Sequence, residues 1–207
     1  MCDRMMNESP KVSAIILAGG LGNRFHGKKQ FETIAGMQMW ELPYKKACRL
    51  LGPENVTVVG VDIPGGKTRT GSVINGLMAV DSNTDRILII EAARPLVTEE
   101  QLIQLAEANH PSTTFVRPLV NTVTYRDGRY LNRNELYELL TPQAFDYKLL
   151  KEALTSGQFY DVTDETRIMF EYHGIRPLFI ETEASLMKVT YPEDIHVVRY
   201  LIERAQE

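Results

Sequence analysis

Cysteine, histidine and long apolar runs are all scarce in this chain. Its two cysteines are Cys2 and Cys48, so no disulfide framework is predicted and a reducing cytoplasm is the expected location. The four histidines lack the spacing of metal ligands, and closely spaced cysteines for a zinc site are missing. No apolar stretch approaches the roughly 18–20 residues that a membrane-spanning helix requires. Lysines and arginines (23) are fewer than acidic residues (27), so we expect neither nucleic acid nor a membrane as a partner.

The length and composition are those of one globular domain. The chain has 207 residues, of which 43% are hydrophobic, and this is enough to bury a core. The first ten residues lack the apolar centre of a signal peptide. We therefore predict a disordered tail over residues 1–10 and a single domain over residues 11–207.

Strand and helix patterns alternate through the first half of the chain. Three continuous apolar runs predict strands that are buried on both faces, at residues 12–18, 56–61 and 86–90. Helical spacing is found at 37–51, at 72–80 and after the capping box Thr98-Glu-Glu-Gln101. This alternation indicates an α/β fold with a Rossmann-like, mostly parallel sheet and helices on both faces.

The second half begins with a β-rich segment. Residues 113–133, with Asp127-Gly128 as a turn, predict a β-hairpin arm that leaves the sheet. Its apolar side chains have no evident cover within the chain, so the arm is a candidate dimer interface. Helices follow at 146–155, at 163–172 with Thr163 or Asp164 as the cap, and from a capping box at Thr190-Tyr-Pro-Glu193 to about residue 205.

A glycine-rich segment, Leu17-Ala-Gly-Gly-Leu-Gly-Asn-Arg24, directly follows the first predicted strand. Glycines let the backbone approach a ligand, successive N–H groups can bind phosphate oxygens, and Arg24 adds charged donors. It is not a dinucleotide fingerprint, because Phe25 stands where Gly or Ala is required, and no Gly-Lys-Ser/Thr closes a Walker loop. The segment predicts a phosphate-binding loop, with a purely geometric tight turn as the alternative.

Four shorter motifs carry further glycines or charges. Lys28-Lys29-Gln30 could neutralise a triphosphate or form a solvated basic loop. The segment from Gly65 to Ser72 suits a loop against a planar base, although Ser72 could simply cap the next helix. Glu91 ends an apolar strand at the place where open α/β sheets bind ligands. Lys188 could point into the same site or into solvent.

In this order the motifs resemble those of the cytidylyltransferases that make CDP-polyols, above all the 2-C-methyl-D-erythritol 4-phosphate and ribitol-5-phosphate cytidylyltransferases. The resemblance runs from Ala14 to about Ile202. Its most specific segments are Glu91-Ala-Ala-Arg-Pro95, Leu140-Thr-Pro-Gln143 and Lys188-Val-Thr-Tyr-Pro-Glu-Asp194. The resemblance implies a nucleotidyltransferase fold whose β-arm crosses to the partner subunit of a homodimer.

The resemblance also implies roles for individual residues. The catalytic cations would be Arg24, Lys29 and Lys188. The nucleotide would be bound by Leu17, Ala18, Gly19, Gly20, Gly22, Gly66, Lys67, Ser72 and Ala92. The acceptor would be bound by Glu91, Arg94, Thr122, Arg133, Thr141 and Thr163. Mg²⁺ is expected on the triphosphate, with Glu91 as its one candidate protein ligand.

The implied reaction is transfer of CMP from CTP to a small phosphorylated acceptor, with release of pyrophosphate. A phosphate nucleophile is already ionised near neutral pH, so cations and in-line positioning are needed rather than a general base. The chain departs from the family in a shorter segment between Lys29 and Gly66, in Glu91 for Asp, and in Lys67 and Asn121 at positions usually held by Asp. A sugar-1-phosphate nucleotidyltransferase and a non-catalytic nucleotide-binding homologue are the alternatives.

Overall fold

A six-stranded sheet organises the chain. The computed structural model describes residues 10–183 and 185–205, so the tail predicted for 1–10 lies outside the described residues except for Pro10. The strands are β1 (Val12–Leu17), β2 (Thr33–Ile34), β3 (Met37–Gln38), β4 (Val56–Val59), β5 (Arg86–Glu91), β6 (Ser112–Pro118), β7 (Tyr137–Asp146) and β8 (Leu178–Glu181). The sheet has the order β4-β1-β5-β7-β6-β8, and β2 and β3 form a separate pair.

Six α-helices accompany these strands in the described part of the chain. They are α1 (Glu41–Leu51), α2 (Arg69–Ala79), α3 (Glu99–Glu107), α4 (Tyr147–Thr155), α5 (Glu165–His173) and α6 (Asp194–Arg204). Within the described ranges, none of them is long and apolar enough to cross a membrane.

The centre of the sheet is parallel, as the apolar runs predicted. Strand β1 pairs in parallel with β4 and β5, and Leu17 is aligned with both Val59 and Glu91. The carboxyl ends of three strands therefore meet at one edge, which is where α/β sheets bind ligands. Strand β7 runs antiparallel to β5 and β6, and β8 is parallel to β6, so the sheet is mixed.

Helices cover both faces of the sheet, which confirms the predicted α/β architecture. Successive residues of β1 point to opposite faces, so Ile16 packs in one buried cluster and Ile15 in the other. The first cluster includes Ala47 of α1 and Leu102 of α3. The second includes Leu77 of α2 together with residues of α4 and α5.

A third apolar cluster joins α6 to the segment between β1 and α1. Phe25 and Ile34 pack there against Val189, Ile195 and Val198. Two sequence motifs that are far apart along the chain, the loop after β1 and the segment containing Lys188, are thereby brought to one side of the sheet edge.

Three predicted helix starts are wrong at the residue level. The helix predicted for 72–80 begins at Arg69, because Thr68 caps it. The helix predicted for 37–51 begins at Glu41, because Met37 and Gln38 pair with the preceding strand β2. The capping box predicted at Thr190 does not use Glu193. Instead, the carboxylate of Asp194 accepts from the backbone N–H groups of Thr190 (2.7 Å) and Tyr191 (2.8 Å), and α6 begins at Asp194.

Other predicted helix starts agree with the structure. Thr98 and Gln101 form the predicted reciprocal capping box of α3. Asp164 rather than Thr163 caps α5, since its side chain accepts from the N–H of Thr166 at 2.9 Å. Helix α4 lies where the 146–155 pattern placed it.

The predicted hairpin arm is shorter than 113–133. Residues of β6 belong to the main sheet, where they pair with both β7 and β8 and where residues 112–116 are buried. The excursion starts after Pro118. We call residues 119–136 the arm; it contains a bridge between Thr124 and Tyr130 around a turn at Gly128, which has φ +88°.

Candidate active site

A cavity of about 560 Å³ lies at the carboxyl ends of β1 and β5. It is bordered by the glycine loop after β1, the loop before α2, the end of β5 and the segment before α6. The residues predicted for the nucleotide and the catalytic cations all line it, together with one predicted acceptor residue: Leu17, Ala18, Gly19, Gly20, Gly22, Arg24, Lys29, Gly66, Lys67, Ser72, Glu91, Ala92 and Lys188.

The glycine loop is packed directly against the loop before α2. A Cβ atom added to Gly19 would stand 3.2 Å from the Cα of Gly65. One added to Gly66 would stand 2.3 Å from the carbonyl carbon of Gly71. A side chain at Gly19 would push the two loops apart, and one at Gly66 would push its loop away from the first turn of α2. Both glycines therefore permit close backbone contacts at the cavity wall.

The start of α2 faces the cavity. Thr68 is its N-cap and accepts from the N–H of Gly71 at 3.0 Å. The reading of Ser72 as the cap is therefore wrong, since Ser72 lies inside the helix, in its first turn. The hydroxyl of Ser72 accepts from the N–H of Gly66 (3.0 Å) and donates to the carbonyl of Thr68 (3.1 Å). Ser72 therefore fixes the loop that borders the cavity.

The three predicted catalytic cations approach the cavity from two different segments. Lys29 is half-buried and donates from Nζ to the carbonyl of Val189 at 2.6 Å. Burial lowers the pKa of Lys29, and the charges of Lys188 and Arg24 lower it further. Arg24 is exposed and has no hydrogen bond or ion pair to any residue in the described part of the chain. An anion placed here would relieve the repulsion among these groups.

Glu91 is the acidic group of the cavity wall. Its Oε2 lies 2.6 Å from Nζ of Lys188 and 3.9 Å from Nε of Arg94, and its Oε1 lies 3.4 Å from Nε of Arg69. Burial by itself would raise the pKa of Glu91, but Lys188, Arg69 and Arg94 together hold that pKa below its usual value. The carboxyl group is therefore ionised at neutral pH.

Arg69 and Glu165 form an ion pair beside the cavity that the sequence motifs did not predict. The guanidinium binds the Glu165 carboxylate with both terminal nitrogens, and Nη2 lies 2.9 Å from Oε2. Glu165 keeps the pKa of Arg69 raised even though burial opposes this. The two residues are 96 positions apart, so the motifs that contain them gave no signal that they would meet.

The remaining predicted acceptor residues do not line the cavity. Arg94 and Thr141 are buried behind it, where Nε of Arg94 donates to the Thr141 hydroxyl at 2.8 Å and Nη1 donates to the carbonyl of Leu186. Thr163 precedes α5 but is not part of the lining. Thr122 and Arg133 are exposed in the arm, where Arg133 donates to the carbonyl of Val120.

The donor groups present bear on the expected Mg²⁺. Among residues 10–183 and 185–205, no group of three or more His, Cys, Asp or Glu could hold a metal ion. The cavity wall supplies one buried carboxylate, Glu91. Mg²⁺ in nucleotide sites is commonly bound by one or two carboxylates plus phosphate oxygens and water, so this donor set fits an ion that arrives on a triphosphate.

Known proteins are similar to this chain in sequence. The sequence profile of the family described as 2-C-methyl-D-erythritol 4-phosphate cytidylyltransferase matches residues 42–204. The enzyme of that name from Trichodesmium erythraeum is 36% identical over 94% of this chain and all of its own length. The one from Azoarcus is 28% identical over 96% of this chain and 97% of its own.

Solved structures agree on the fold. The 4-diphosphocytidyl-2C-methyl-D-erythritol synthase of Anaerococcus prevotii superposes with a TM-score of 0.78 at 23% identity, over 95% of this chain and 100% of that one. The bifunctional IspDF of Campylobacter jejuni also gives a TM-score of 0.78, at 26% identity, over 90% of this chain and 53% of that one. This chain belongs to the 2-C-methyl-D-erythritol 4-phosphate cytidylyltransferase family.

Proposed function

We propose that this chain transfers CMP from CTP to 2-C-methyl-D-erythritol 4-phosphate and releases pyrophosphate. The family supports the reaction and the acceptor. The observation that carries the proposal is the meeting of Arg24, Lys29 and Lys188 at one glycine-lined cavity. The lysines lie far apart in the sequence, and the fold brings both to the carboxyl end of the central strands.

The geometry suits attack by a phosphate oxygen on the α-phosphorus. The glycine loop and the start of α2 offer backbone N–H groups, which bind phosphate oxygens without a charged side chain. The three cations would stabilise the negative charge that develops on the transferring phosphoryl group and on the departing pyrophosphate. Since the acceptor phosphate is already ionised, no residue needs to remove a proton.

Glu91 and Lys188 form an ion pair at the cavity wall, with 2.6 Å between Oε2 and Nζ. A bound triphosphate would share the Lys188 ammonium with Glu91. The carboxylate thereby keeps the ammonium at the cavity wall instead of leaving it free in solvent. We propose this as the way in which the lysine is oriented before the nucleotide arrives.

We also propose that Mg²⁺ accompanies the triphosphate, and Glu91 is the side chain that would hold it. Bound there, the ion would neutralise phosphate charge and make the α-phosphorus more accessible to an anionic acceptor. Glu91 could hold the ion only if its carboxylate then interacted less strongly with Lys188.

The assembly and location belong to the same proposal. We propose a homodimer formed through the arm, because Val120 and Tyr130 are exposed there. We place the enzyme in the cytoplasm, where its nucleotide substrate is available. Its partners are then CTP, the acceptor and a second copy of the chain, without nucleic acid or membrane.

The test is a pyrophosphate-release assay with CTP, Mg²⁺ and a panel of acceptors, with the product identified by mass. The panel contains 2-C-methyl-D-erythritol 4-phosphate, ribitol 5-phosphate and a sugar 1-phosphate. We expect turnover with the first and the loss of turnover in Lys188→Met. Turnover only with the sugar 1-phosphate, or CTP binding without any turnover, would overturn the proposal.

A further inference from the structure

A buried ion pair joins the first residues of two helices beside the cavity. Arg69 begins α2 and Glu165 begins α5. The Glu165 side chain is 0% exposed, and each of its oxygens receives one terminal nitrogen of the guanidinium. Taking a carboxylate out of water is costly, and an ion pair offsets that cost only when its geometry is close to ideal. The proposed reaction, as derived above, uses neither residue.

The third nitrogen of the Arg69 guanidinium, Nε, faces Glu91 instead of Glu165. Nε of Arg69 lies 3.4 Å from Oε1 of Glu91, whose other oxygen is 2.6 Å from Nζ of Lys188. Charges therefore alternate along a row that starts at a buried carboxylate and ends at a proposed catalytic ammonium. Each member of the row is attracted by its neighbours, so moving one displaces the next.

The buried end of the row is held by the backbone around it. Asp164, the residue before Glu165, caps α5. The segment that leads into α5 is bonded to α2, since the Thr68 hydroxyl donates to the carbonyl of Tyr160 at 2.8 Å and the N–H of Val162 donates to the Thr70 hydroxyl at 2.8 Å. Glu165 is thus a fixed anchor, whereas Lys188 is 38% exposed and depends on Glu91 for its position.

We propose that Arg69, anchored by Glu165, is a positioning residue that holds the Glu91 carboxylate and thereby sets where the Lys188 ammonium stands. The inference rests on the proposed CMP transfer. A guanidinium can bind two carboxylates at once through its separate edges, which an ammonium of similar charge cannot do with the same geometry. Arg69 would act on the transition state through Lys188, so its loss should lower kcat more than it weakens CTP binding.

The kinetic test compares two matched pairs of variants. Arg69→Lys and Glu165→Gln disturb the buried pair, while Arg167→Lys and Glu171→Gln make the same changes in an exposed pair on α5. We expect kcat to fall about 10–100-fold in the buried-pair variants, since small misplacements of a catalytic group cost up to roughly 10²-fold. The KM for CTP should stay within about threefold, and the exposed-pair variants should match the wild type.

Two kinetic outcomes would overturn the inference. An unchanged kcat in folded Arg69→Lys and Glu165→Gln would mean that the pair only joins two helices. A higher KM for CTP at unchanged kcat would make Arg69 a direct ligand of the nucleotide. A wild-type chain without turnover would instead overturn the proposed function.

A second measurement needs no activity. The groups that face Glu91 are Lys188, Arg69, Arg94 and, farther away, Lys29. Removing the guanidinium in Arg69→Met should shift the ¹³C carboxyl resonance of Glu91, measured at neutral pH with no ligand added. An unchanged Glu91 resonance in the folded variant would show that Arg69 does not hold this carboxylate.

Discussion

Glu91 is an almost fully buried carboxylate that stays charged because cations surround it. Burial favours its neutral form, and the contacts with Lys188, Arg69 and Arg94 favour the ionised form more strongly. The pKa of Glu91 in the folded chain is therefore below its unfolded value. The contribution to stability is present above the unfolded pKa, near 4.3, and is lost as the pH falls through the folded value.

This sign gives a prediction for Glu91→Gln. We expect the variant to be less stable than the wild type at pH 7, and the difference should shrink as the pH is lowered from about 5 toward 3. Urea unfolding at several pH values measures it. Glu171→Gln, at an exposed pair, is the control and should differ little at any pH. A loss of stability in Glu91→Gln that is equal at pH 7 and pH 3 would contradict the assignment.

Of the three predicted catalytic cations, Arg24 contributes least to the stability of the fold. It is exposed and has no hydrogen bond or ion pair within the described ranges, so its removal should leave the fold intact. We expect Arg24→Ala to lose about 10²–10³-fold in turnover, the cost of removing one group that stabilises transition-state charge. The neighbouring Lys28 does not line the cavity, and Lys28→Ala should keep near-normal rates of pyrophosphate release. Equal rates in both variants would reduce Arg24 to a loop residue.

At the scale of elements, the sequence predicted a helix start correctly where residues close together in the sequence form the whole cap. The capping box of α3 needs only Thr98 and Gln101, and both side chains act as predicted. The same pattern precedes α6. There, however, the carboxylate of Asp194 rather than that of Glu193 accepts from the backbone N–H groups of Thr190 and Tyr191. Strand β7 was missed because its central Thr141-Pro142 interrupts an apolar run, and its pairing partners lie far away in sequence.

The contact between the loop before α2 and the first turn of that helix yields a test of packing. In Gly66→Ala the new methyl would lie 2.3 Å from the carbonyl carbon of Gly71 and 2.6 Å from the nitrogen of Ser72, so the start of α2 would have to move. We expect a loss of about 1–3 kcal/mol in the free energy of unfolding. Gly27→Ala is the control, because nothing lies within 4 Å of its added Cβ, and it should change stability by no more than about 0.5 kcal/mol. Similar stabilities for the two variants would rule out the close packing.

For the molecule as a whole, the sequence predicted residues that line the cavity but not the contacts that hold them in place. Motif order predicted the glycine loop, Glu91 and Lys188, because residue type and strand ends carry that information. The sequence could not show that Arg94 bonds Thr141 behind the wall, or that Arg69 meets Glu165. Those contacts depend on three-dimensional packing between residues 47 and 96 positions apart.

The arm leads to a prediction about assembly. Tyr130 is 78% exposed and Val120 77% exposed, which is costly for an isolated chain in water. We expect light scattering at micromolar concentration to give twice the mass of the chain, and Val120→Ser with Tyr130→Ser to give the mass of one chain. Tyr160→Ser, at a tyrosine that is 75% exposed outside the arm, should remain dimeric. A monomeric wild type would contradict the arm as an interface.

The last prediction concerns a site shared between subunits. Arg133 lies in the arm, apart from the cavity lined by Lys188, and its guanidinium donates within its own arm to the carbonyl of Val120. If the arm reaches the partner, Arg133 would bind the acceptor phosphate in the partner's cavity as a charged donor.

Homodimers of Arg133→Ala and of Lys188→Ala should then each be nearly inactive. After the two are mixed and allowed to exchange, pyrophosphate release should recover, because one of the two cavities in a heterodimer receives both intact residues. Exchange demonstrated by mass without recovered turnover would place the action of Arg133 in its own subunit or outside the site.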